Sequence, residues 1–309
     1  MEVQYVESEK GHRKLLLNNH KHVKDEEVDS NIYWRCEMYK RFKCSVRIIS
    51  LNNDVVRATV YALLPDKTQS TFTRLLTAIK NIEPIVSPIS ILMDFELAMM
   101  NGVRDAFPES IIKGCFFQFS QSVFRHIQTE GLQRRYEMEP EFALTMRMLP
   151  ALAFVPAGNV INVFEQLCEE NVIPPEAQGV LDYFEDTWIG RPLRRQRRPP
   201  RFPYNMWNCF DGVNEDLPKT NNSVEGWHRS FDQQISSTHP NIWKYIEALQ
   251  REQSLHRLQI EQYISGEEPP RSHRKYRDCA ARIKRLVQQF NVEGNTNDYL
   301  RGIAHNLNL

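Results

Sequence analysis

Two carboxylates occupy positions at which such side chains often bind metal ions. Asp94 follows the apolar run ILM and precedes a helical pattern, so it falls at the carboxyl end of an expected strand. Glu225 lies in the first turn of another expected helix, and His228 follows three residues later on the same face. Carboxylates on separate elements hold the paired Mg²⁺ or Mn²⁺ ions of phosphoryl transfer. By spacing alone, each residue is explained more simply as a helix cap or a partner of the helix dipole.

A second candidate site is a zinc site on Cys36 and Cys44, which flank a turn between two expected strands. A pair of thiolates across a β-hairpin is half of a common zinc site, and the other half needs two more ligands. His20 and His22 form an H-x-H, but they precede the cysteines, and no H-x-H follows Cys44. The simpler alternative is that all six cysteines are free thiols.

Two arginine-rich segments have the charge to contact a phosphate backbone. RPLRRQRRPPR contains no acidic residue, and RSHRKYRDCAARIKR contains one. Lys+Arg is 39 and Asp+Glu is 39, which excludes a histone-like chain and an acidic disordered chain but leaves room for local basic patches. The alternative for either segment is a solvated surface. The residues that we expect to contact DNA are Arg191, Arg194, Arg195, Arg197, Arg198, Arg201, Arg274, Lys275 and Arg277.

The elements that position these residues change in type along the chain. NIYWRC and KCSVRIIS predict short strands in a small β-rich unit, and VRATVYALL predicts a buried strand. Helix, strand, helix and strand then follow up to IIKGCFF, a spacing typical of an α/β domain with partly parallel strands. From about 120 to 220 the pattern is largely helical, apart from a loop containing the first arginine segment.

Three more helices are expected in the C-terminal part, the first opening at TNNSVEGWH and the others lying near 240–265 and 273–291. The last of them has an apolar face at Tyr276, Ala280, Ile283, Val287 and Phe290.

The composition of the 309-residue chain is that of a foldable protein, with 41% hydrophobic and 25% charged residues. No run approaches the roughly 18 apolar residues of a membrane span, and the N-terminus has no apolar signal core. We therefore expect an intracellular protein with no membrane partner. The sequence has no P-loop, G-x-G-x-x-G, H-E-x-x-H or G-x-S-x-G motif.

A set of segments, in order, resembles the transposase core of Mutator-like elements (MULE transposases): YALLPDKTQSTF, DFELAMMNGVRDAFP, GCFFQFSQSVFR, YFEDTWIGR, TNNSVEGWH and HPNIWKYIEALQREQ. YWRC and the cysteine after it resemble a FLYWCH-type zinc finger. The resemblance covers about residues 10–57 for the finger and 58–290 for the core. It implies a ribonuclease H-like fold in which three acidic residues hold two divalent metal ions, and water or a DNA 3′-hydroxyl attacks a phosphodiester. Asp94 matches the family's second acidic position and Glu225 the third, which favours a catalytic ancestry for both.

Three features of the family pattern are missing. No aspartate in a D-G-T-F-like context precedes YALLP, no H-x-H follows Cys44, and the family's Cys-x-x-His reads Cys115 and Gln118. One deletion or skipped exon with its junction near Arg57–Ala58 explains the first two. Loss of one carboxylate of three predicts a loss of strand transfer by several orders of magnitude. A finger with two of its four ligands would hold zinc weakly.

We therefore expect an α/β fold with a ribonuclease H-like (DDE transposase) core that lacks its first strands. The expected divisions are a partial FLYWCH-type unit at residues 1–57, the first part of the core at 58–118, a helical insertion at 119–220, and the last acidic residue with C-terminal helices at 221–309.

The expected function is DNA binding by a nuclear, MULE transposase-derived protein with an impaired or dead DDE site. Its cofactors would be zinc at Cys36 and Cys44, and Mg²⁺ or Mn²⁺ at Asp94 and Glu225 only if the site is catalytic. DNA is the expected partner, and homo-oligomerisation is left open. The alternatives are a domesticated FLYWCH zinc-finger regulator, an active transposase if the junction is an artefact of the gene model, and a truncated product with no function of its own.

Overall fold

The computed structural model divides the chain into two compact units, Met1–Tyr61 with Trp227–Arg271 and Ala62–Gly226 with Ser272–Leu309. It describes the backbone at residues 4–7, 13–17, 20–28, 31–36 and 47–50, and then residues 60, 62–170, 172–194, 196–220, 231, 233, 235, 241–267, 274–291 and 294–307. Within these ranges, no helix is both long enough and apolar enough to cross a membrane.

Helices predominate in this mixed α/β fold, and the strands are few and short. The strands are β1 (Gln4–Glu7), β2 (Arg13–Leu17), β3 (His20–Val28), β4 (Asn31–Cys36), β5 (Arg47–Ser50), β6 (Ser90–Met93), β7 (Ile111–Gly114), β8 (Pro192–Leu193) and β9 (Gln196–Arg197). The α-helices are α1 (Gln69–Ile82), α2 (Leu97–Ala106), α3 (Phe116–Thr129), α4 (Gln133–Met138), α5 (Pro140–Ala151), α6 (Val160–Glu169), α7 (Gln178–Phe184), α8 (Tyr204–Trp207), α9 (Phe210–Asn214), α10 (Ile242–Ile264), α11 (Arg274–Gln288) and α12 (Thr296–Ala304).

The first unit contains an antiparallel sheet in which β1 to β5 pair in sequence order. Strands β4 and β5 lie within the segments NIYWRC and KCSVRIIS, where the sequence predicts strands. The register of β3 against β4 shifts between Lys24 and Glu26, which is the mark of a β-bulge. Helix α10 belongs to the same unit and lies where the sequence predicts a helix.

The second unit begins with two parallel strands joined by a crossover helix. Strands β6 and β7 pair in parallel, with Met93 opposite Gly114, and α2 connects them. A parallel pair needs such a connection because the chain must return to the end of the sheet where it started. Helix α1 packs against α2 and is capped by Thr68, whose hydroxyl accepts a hydrogen bond from the amide of Thr71. The predicted order of helix, strand, helix and strand is confirmed.

The main core of the second unit lies among helices α3 to α9. Helix α3 buries Phe119, Val123 and Ile127, whose spacings of four residues place them on one face. The ring of Phe119 stacks on Trp207 with centroids 4.9 Å apart and meets Trp188 edge-on at 4.8 Å. Because these large rings are almost fully buried, they contribute much of the apolar area that stabilises the unit.

Two C-terminal helices complete this core. Helix α11 was predicted and buries Ile283 and Val287, whereas α12 was missed and packs against α5. The Arg147 guanidinium donates a hydrogen bond to the Leu307 carbonyl at 2.9 Å, and the Tyr299 hydroxyl donates one to the carbonyl of Phe154. These contacts join the C-terminal segment to the helices near the middle of the chain.

The buried strand predicted from VRATVYALL is wrong in its described part. Residues 60 and 62–64 are not in a strand, and Val60 and Leu63 are 54% and 55% exposed. A strand forms only where a neighbour supplies hydrogen-bond partners for its backbone. Among the described residues no strand pairs with this segment, so its apolar, β-branched composition has no sheet to join.

The apolar face predicted for α11 is wrong in its first two turns. Tyr276 is 69% exposed and Ala280 is also exposed. The stripe that faces the core starts one turn later, with Cys279 half-buried and Ile283 and Val287 buried. The first turn of this helix therefore projects from the core, together with its basic residues.

Candidate active-site edge and nucleic-acid interface

Asp94 lies at the edge of the parallel sheet where the carboxyl ends of β6 and β7 meet. The Met93 carbonyl accepts a hydrogen bond from the Cys115 amide at 2.8 Å, so Asp94 and Cys115 are the first residues beyond the two strands. The Asp94 carbonyl accepts one from the Glu96 amide at 2.8 Å, which turns the chain into α2. The residue is exposed at the position where α/β proteins bind ligands. This placement agrees with the sequence analysis, whereas metal binding by Asp94 stays a prediction.

Phe95 fixes the turn that carries Asp94. Its ring meets the rings of Trp188 and Phe202, with both pairs of centroids 4.9 Å apart. The same ring lies so close to Gly114 that a Cβ atom added there would overlap it. The sequence analysis missed both Phe95 and Gly114, although a glycine in a strand is a signal of close approach.

Lys219 brings a distant part of the chain to this edge. Its carbonyl accepts a hydrogen bond from the Phe116 amide at 2.8 Å, at the start of α3. Its ammonium lies 5.8 Å from the centroid of the Phe154 ring. Glu225 and His228 follow a few residues later, outside the described residues, and their roles stay predictions.

Two buried thiols lie close to the same edge. Cys115 is fully buried, and burial raises the pKa of Cys209 to about 12, while the charges of Lys219 and Lys113 oppose that rise. A thiol with such a pKa is neutral near pH 7 and is therefore a poor nucleophile and metal ligand. Gln118, at the position of the family's histidine, is half-buried in the first turn of α3. Within the described ranges, no three His, Cys, Asp or Glu side chains come together as a group that could hold a metal ion.

The first arginine segment contains a short β-hairpin in place of the predicted loop. Pro192 pairs with Arg197 and Leu193 with Gln196, which leaves two arginines between the strands. The first of these, Arg194, has a φ of +55°, in the left-handed region that residues with a Cβ atom rarely adopt. Arg195 lies outside the described residues.

Arg197 at the base of this hairpin lies between two carboxylates. Its guanidinium nitrogens approach Glu165 at 2.7 Å and Glu185 at 2.8 Å, and one of them also donates to the carbonyl of Gly190 at 2.5 Å. The side chain is 15% exposed. Its charge is therefore compensated within the unit, which the sequence alone did not indicate.

The remaining arginines of the segment differ in their partners. Arg191 and Arg198 both face the carboxylate of Asp186, at 2.6 and 3.3 Å. Arg194 and Arg201 are exposed, and in the part of the chain that the structure describes neither forms an ion pair. DNA contact by any of these residues stays a prediction, and Arg194 and Arg201 are the ones with uncompensated charge.

The second basic segment forms the exposed first turns of α11. Arg274, Lys275 and Arg277 are exposed, and Arg274 lies 3.5 Å from Asp278 on the same helix. Further along, Lys284 contacts Asp216 at 2.5 Å. The amino-terminal part of this helix therefore presents most of the segment's charge to solvent.

The backbone of the first unit places one predicted zinc ligand opposite a histidine. In the β3–β4 ladder Cys36 is the partner of His22, and His20 lies two residues before His22 on β3. Directly opposed residues of antiparallel strands have Cβ atoms about 4.5–5.5 Å apart, and residues two apart on a strand share a face. Sulfur and imidazole nitrogen are the usual donors for zinc, and zinc binding by these residues stays a prediction. Cys44 lies outside the described residues.

Comparison with known families gives two matches. Residues 5–61 match the family model of the FLYWCH zinc finger domain, and residues 38–122 match that of the MULE transposase domain. The first match contains Cys36 and Cys44, the second contains Asp94, and the two overlap at residues 38–61. No curated protein and no solved structure matches the chain. The chain thus contains segments similar to a FLYWCH zinc finger domain and to a MULE transposase domain, the two families that its motifs resemble, and Glu225 lies outside both matches.

Proposed function

We propose that this chain is a DNA-binding protein derived from a MULE transposase, with a metal site too incomplete for strand transfer. The observation that carries the proposal is the position of Asp94. It matches the family's second acidic position, lies within the matched residues 38–122, and stands exposed at the carboxyl edge of β6. Strands β6 and β7 are then a remnant of a ribonuclease H-like core.

A complete site of this kind needs three carboxylates around two divalent ions, which would activate a nucleophile and stabilise the leaving oxygen. Asp94 supplies one ligand. Glu225 follows Lys219 by six residues, which span at most about 22 Å, so it is within reach of the edge to which the Lys219 carbonyl belongs. The remaining carboxylate, the family's first aspartate, has no counterpart, because nothing before YALLP resembles its D-G-T-F-like context.

DNA binding does not require the missing carboxylate. It rests on the exposed arginines, Arg194 and Arg201 near the hairpin and Arg277 on α11, whose charges lack ion-pair partners in the described part of the second unit. Each cation that contacts a phosphate releases condensed counterions, so affinity should fall steeply with salt. The same chemistry applies to any sequence of duplex DNA.

The test is a nicking and strand-transfer assay with Mg²⁺ or Mn²⁺, run beside a DNA-binding titration on the same preparation. We expect salt-sensitive binding, and cleavage no greater than that of the Asp94→Asn variant. The matched control is Glu109→Gln, which neutralises an exposed carboxylate just before the amino end of β7, away from the carboxyl edge. Metal-dependent cleavage that Asp94→Asn abolishes and Glu109→Gln retains would overturn the impaired site.

A second candidate function is that of a domesticated FLYWCH zinc-finger protein that binds DNA in a zinc-dependent way and acts as a regulator. The observation that favours it is the register of His22 against Cys36, which offers a histidine in place of the missing C-terminal H-x-H. His20, His22, Cys36 and Cys44 together would form a two-sulfur, two-nitrogen set suited to zinc.

Zinc content distinguishes this candidate from the first. One equivalent of zinc per chain, lost in both His22→Ala and Cys36→Ser, is the expected result if the histidines of β3 serve as ligands. Retention of zinc in His22→Ala together with loss in Cys36→Ser would exclude His22, and a protein that binds no zinc at all would exclude the regulator as proposed.

A further inference from the structure

Strand β6 bonds to β7 through every second residue. The Ile89 carbonyl accepts a hydrogen bond from the Ile111 amide at 2.9 Å. The Met93 carbonyl accepts one from the Cys115 amide at 2.8 Å. Because a strand directs the backbone groups of alternate residues to opposite edges, Ile91 also faces β7. The residues on either side of Ile91 direct their N–H and C=O groups to the other edge of β6.

Those residues are Ser90 and Leu92, and the edge to which their backbone groups point is open. No other described strand pairs with β6. Ser90 is exposed, and Ile89 beside it is 78% exposed. The outer edge of β7 is covered, by contrast, because α8 packs against this strand and the Phe116 amide just beyond it donates to the Lys219 carbonyl at 2.8 Å. The sheet can therefore be extended on one side only.

The open edge of β6 lacks the features that normally prevent exposed strands from pairing. Such edges usually carry a charged side chain, a proline within the strand or a bulge. The segment PIVSPISILM, residues 84–93, contains no charged residue, and both of its prolines precede the strand. A two-stranded sheet is also small, and further strands would add backbone hydrogen bonds and apolar burial to it. The edge is therefore suited to accept another strand.

We propose that this edge binds a second copy of the chain, with β6 of one copy antiparallel to β6 of the other about a two-fold axis at Ile91. In this register Ser90 of one copy is opposite Leu92 of the other. Directly opposed residues of this kind exchange both N–H···O bonds, so every outward N–H and C=O group of the two residues is paired. A slip of two residues toward the amino end would place Pro88, which has no N–H, opposite Leu92.

The side chains and charges of the edge also fit a second copy. The exposed Ile89 lies opposite Met93 of the other copy, which would cover part of its side chain. Asp94 lies opposite the uncharged Pro88 of the other copy, whereas a parallel arrangement would place the two copies of Asp94 side by side, where like charges repel. Because the outer edge of β7 is covered, the assembly closes as a dimer with a continuous four-stranded sheet. This inference does not depend on the proposed DNA binding.

The experiment measures the mass of the full chain by sedimentation velocity over a range of concentrations, together with amide hydrogen exchange resolved by residue. We expect a dimer that dissociates on dilution. The amides of Ser90 and Leu92 should exchange slowly in the dimer and rapidly in the monomer. The amide of Ile91 is an internal control, because it faces β7 in both states and its protection should change little with concentration.

Two substitutions at one exposed position block the edge without touching the core. Ser90→Lys adds a charge there, and Ser90→Pro removes an N–H that β7 does not use. Both variants should be monomeric at concentrations at which the wild type is a dimer, and retained protection of the Ile91 amide shows that their sheet is intact. The matched control Thr129→Lys adds the same charge at the exposed end of α3 and should remain a dimer.

Three results would overturn the proposal. The first is a wild-type chain that is monomeric at every concentration. The second is a dimer that both Ser90 variants retain, since it would use another surface. The third is slow exchange of the Ser90 and Leu92 amides in the monomer, since the edge would then pair within its own chain.

Discussion

Replacing Arg197 by methionine tests whether this arginine braces the fold or contacts DNA. The guanidinium lies between Glu165 at 2.7 Å and Glu185 at 2.8 Å, and its carbon lies 6.0 Å from the centroid of the Phe164 ring. Methionine keeps the apolar stem that packs beside the ring but removes the charge. The variant leaves two carboxylates that have lost their shared cation.

The expected loss follows from the exposure of each partner. Glu165 is 47% exposed, so its ion pair contributes at most about 1 kcal/mol. Glu185 is 21% exposed, and a charge-assisted hydrogen bond in such a site contributes roughly 1.5 kcal/mol, at the low end of the range for charged groups. The sum is about 2 kcal/mol. For a unit of this size that corresponds to a decrease in Tm of roughly 4–8 °C.

The assay pairs urea denaturation with the salt dependence of DNA affinity. Arg198→Met is the matched control, because Arg198 is 62% exposed and makes one contact with Asp186 at 3.3 Å; its loss should cost less than about 0.5 kcal/mol. Arg197→Met should lower stability and leave the salt slope unchanged at temperatures well below Tm. Unchanged stability with a slope reduced by about 0.9 would show that Arg197 contacts a phosphate, which refutes the brace.

Two further substitutions and one labelling experiment test the second unit. Gly114→Ala places a Cβ atom against the ring of Phe95, so the free energy of unfolding should fall by about 1–3 kcal/mol. Adding Phe95→Leu to that variant should restore part of the lost stability. If the losses of the two substitutions simply add in the double variant, the contact between the two residues is contradicted. Hydrogen bonds from Thr71 and Thr68 lower the pKa of Asp66, so its contribution to stability is present above the ordinary aspartate pKa and is lost as pH falls through the lowered one. Asp66→Asn should therefore flatten the acid limb of the stability profile, and an unchanged limb would show that the hydrogen bonds do not persist in solution. Because burial raises the pKa of Cys209 to about 12, a thiol reagent at pH 8 should label it only after denaturation; rapid labelling of the native protein, read by mass spectrometry, would show that the site is open.

The parts of the fold that could be read from the sequence are those specified by local periodicity. Helices α1, α2 and α3 have apolar residues three and four apart, and β6 and β7 are short apolar runs between them. Their order alone implies a crossover and therefore a parallel pair. The strand predicted at VRATVYALL was wrong because strand formation is not local. It depends on a neighbouring strand that the sequence of a single segment does not reveal.

The site divides along the same line. The position of Asp94 at the sheet edge was predictable because it follows from where a strand ends. Which arginines form ion pairs and which do not could not be predicted. Glu165 is far from Arg197 in sequence and reaches it only through the packing of α6. Phe95 and Gly114 show the same limit, because a ring over a glycine is a contact between separate elements.

The proposed function requires DNA binding to persist without catalysis, and the distribution of burial gives a physical reason why it could. Ile89 and Ile111, at the amino ends of the parallel strands, are largely exposed, whereas Phe119, Trp188 and Trp207 in the helical layer are almost fully buried. Apolar burial is the main source of stability, so the second unit depends on its helices more than on its two-stranded sheet. The first carboxylate would belong to the sheet, while the arginine hairpin is anchored to the helices through Glu165 on α6. Removal of the first strands would therefore take away a metal ligand without disturbing the elements that hold the hairpin.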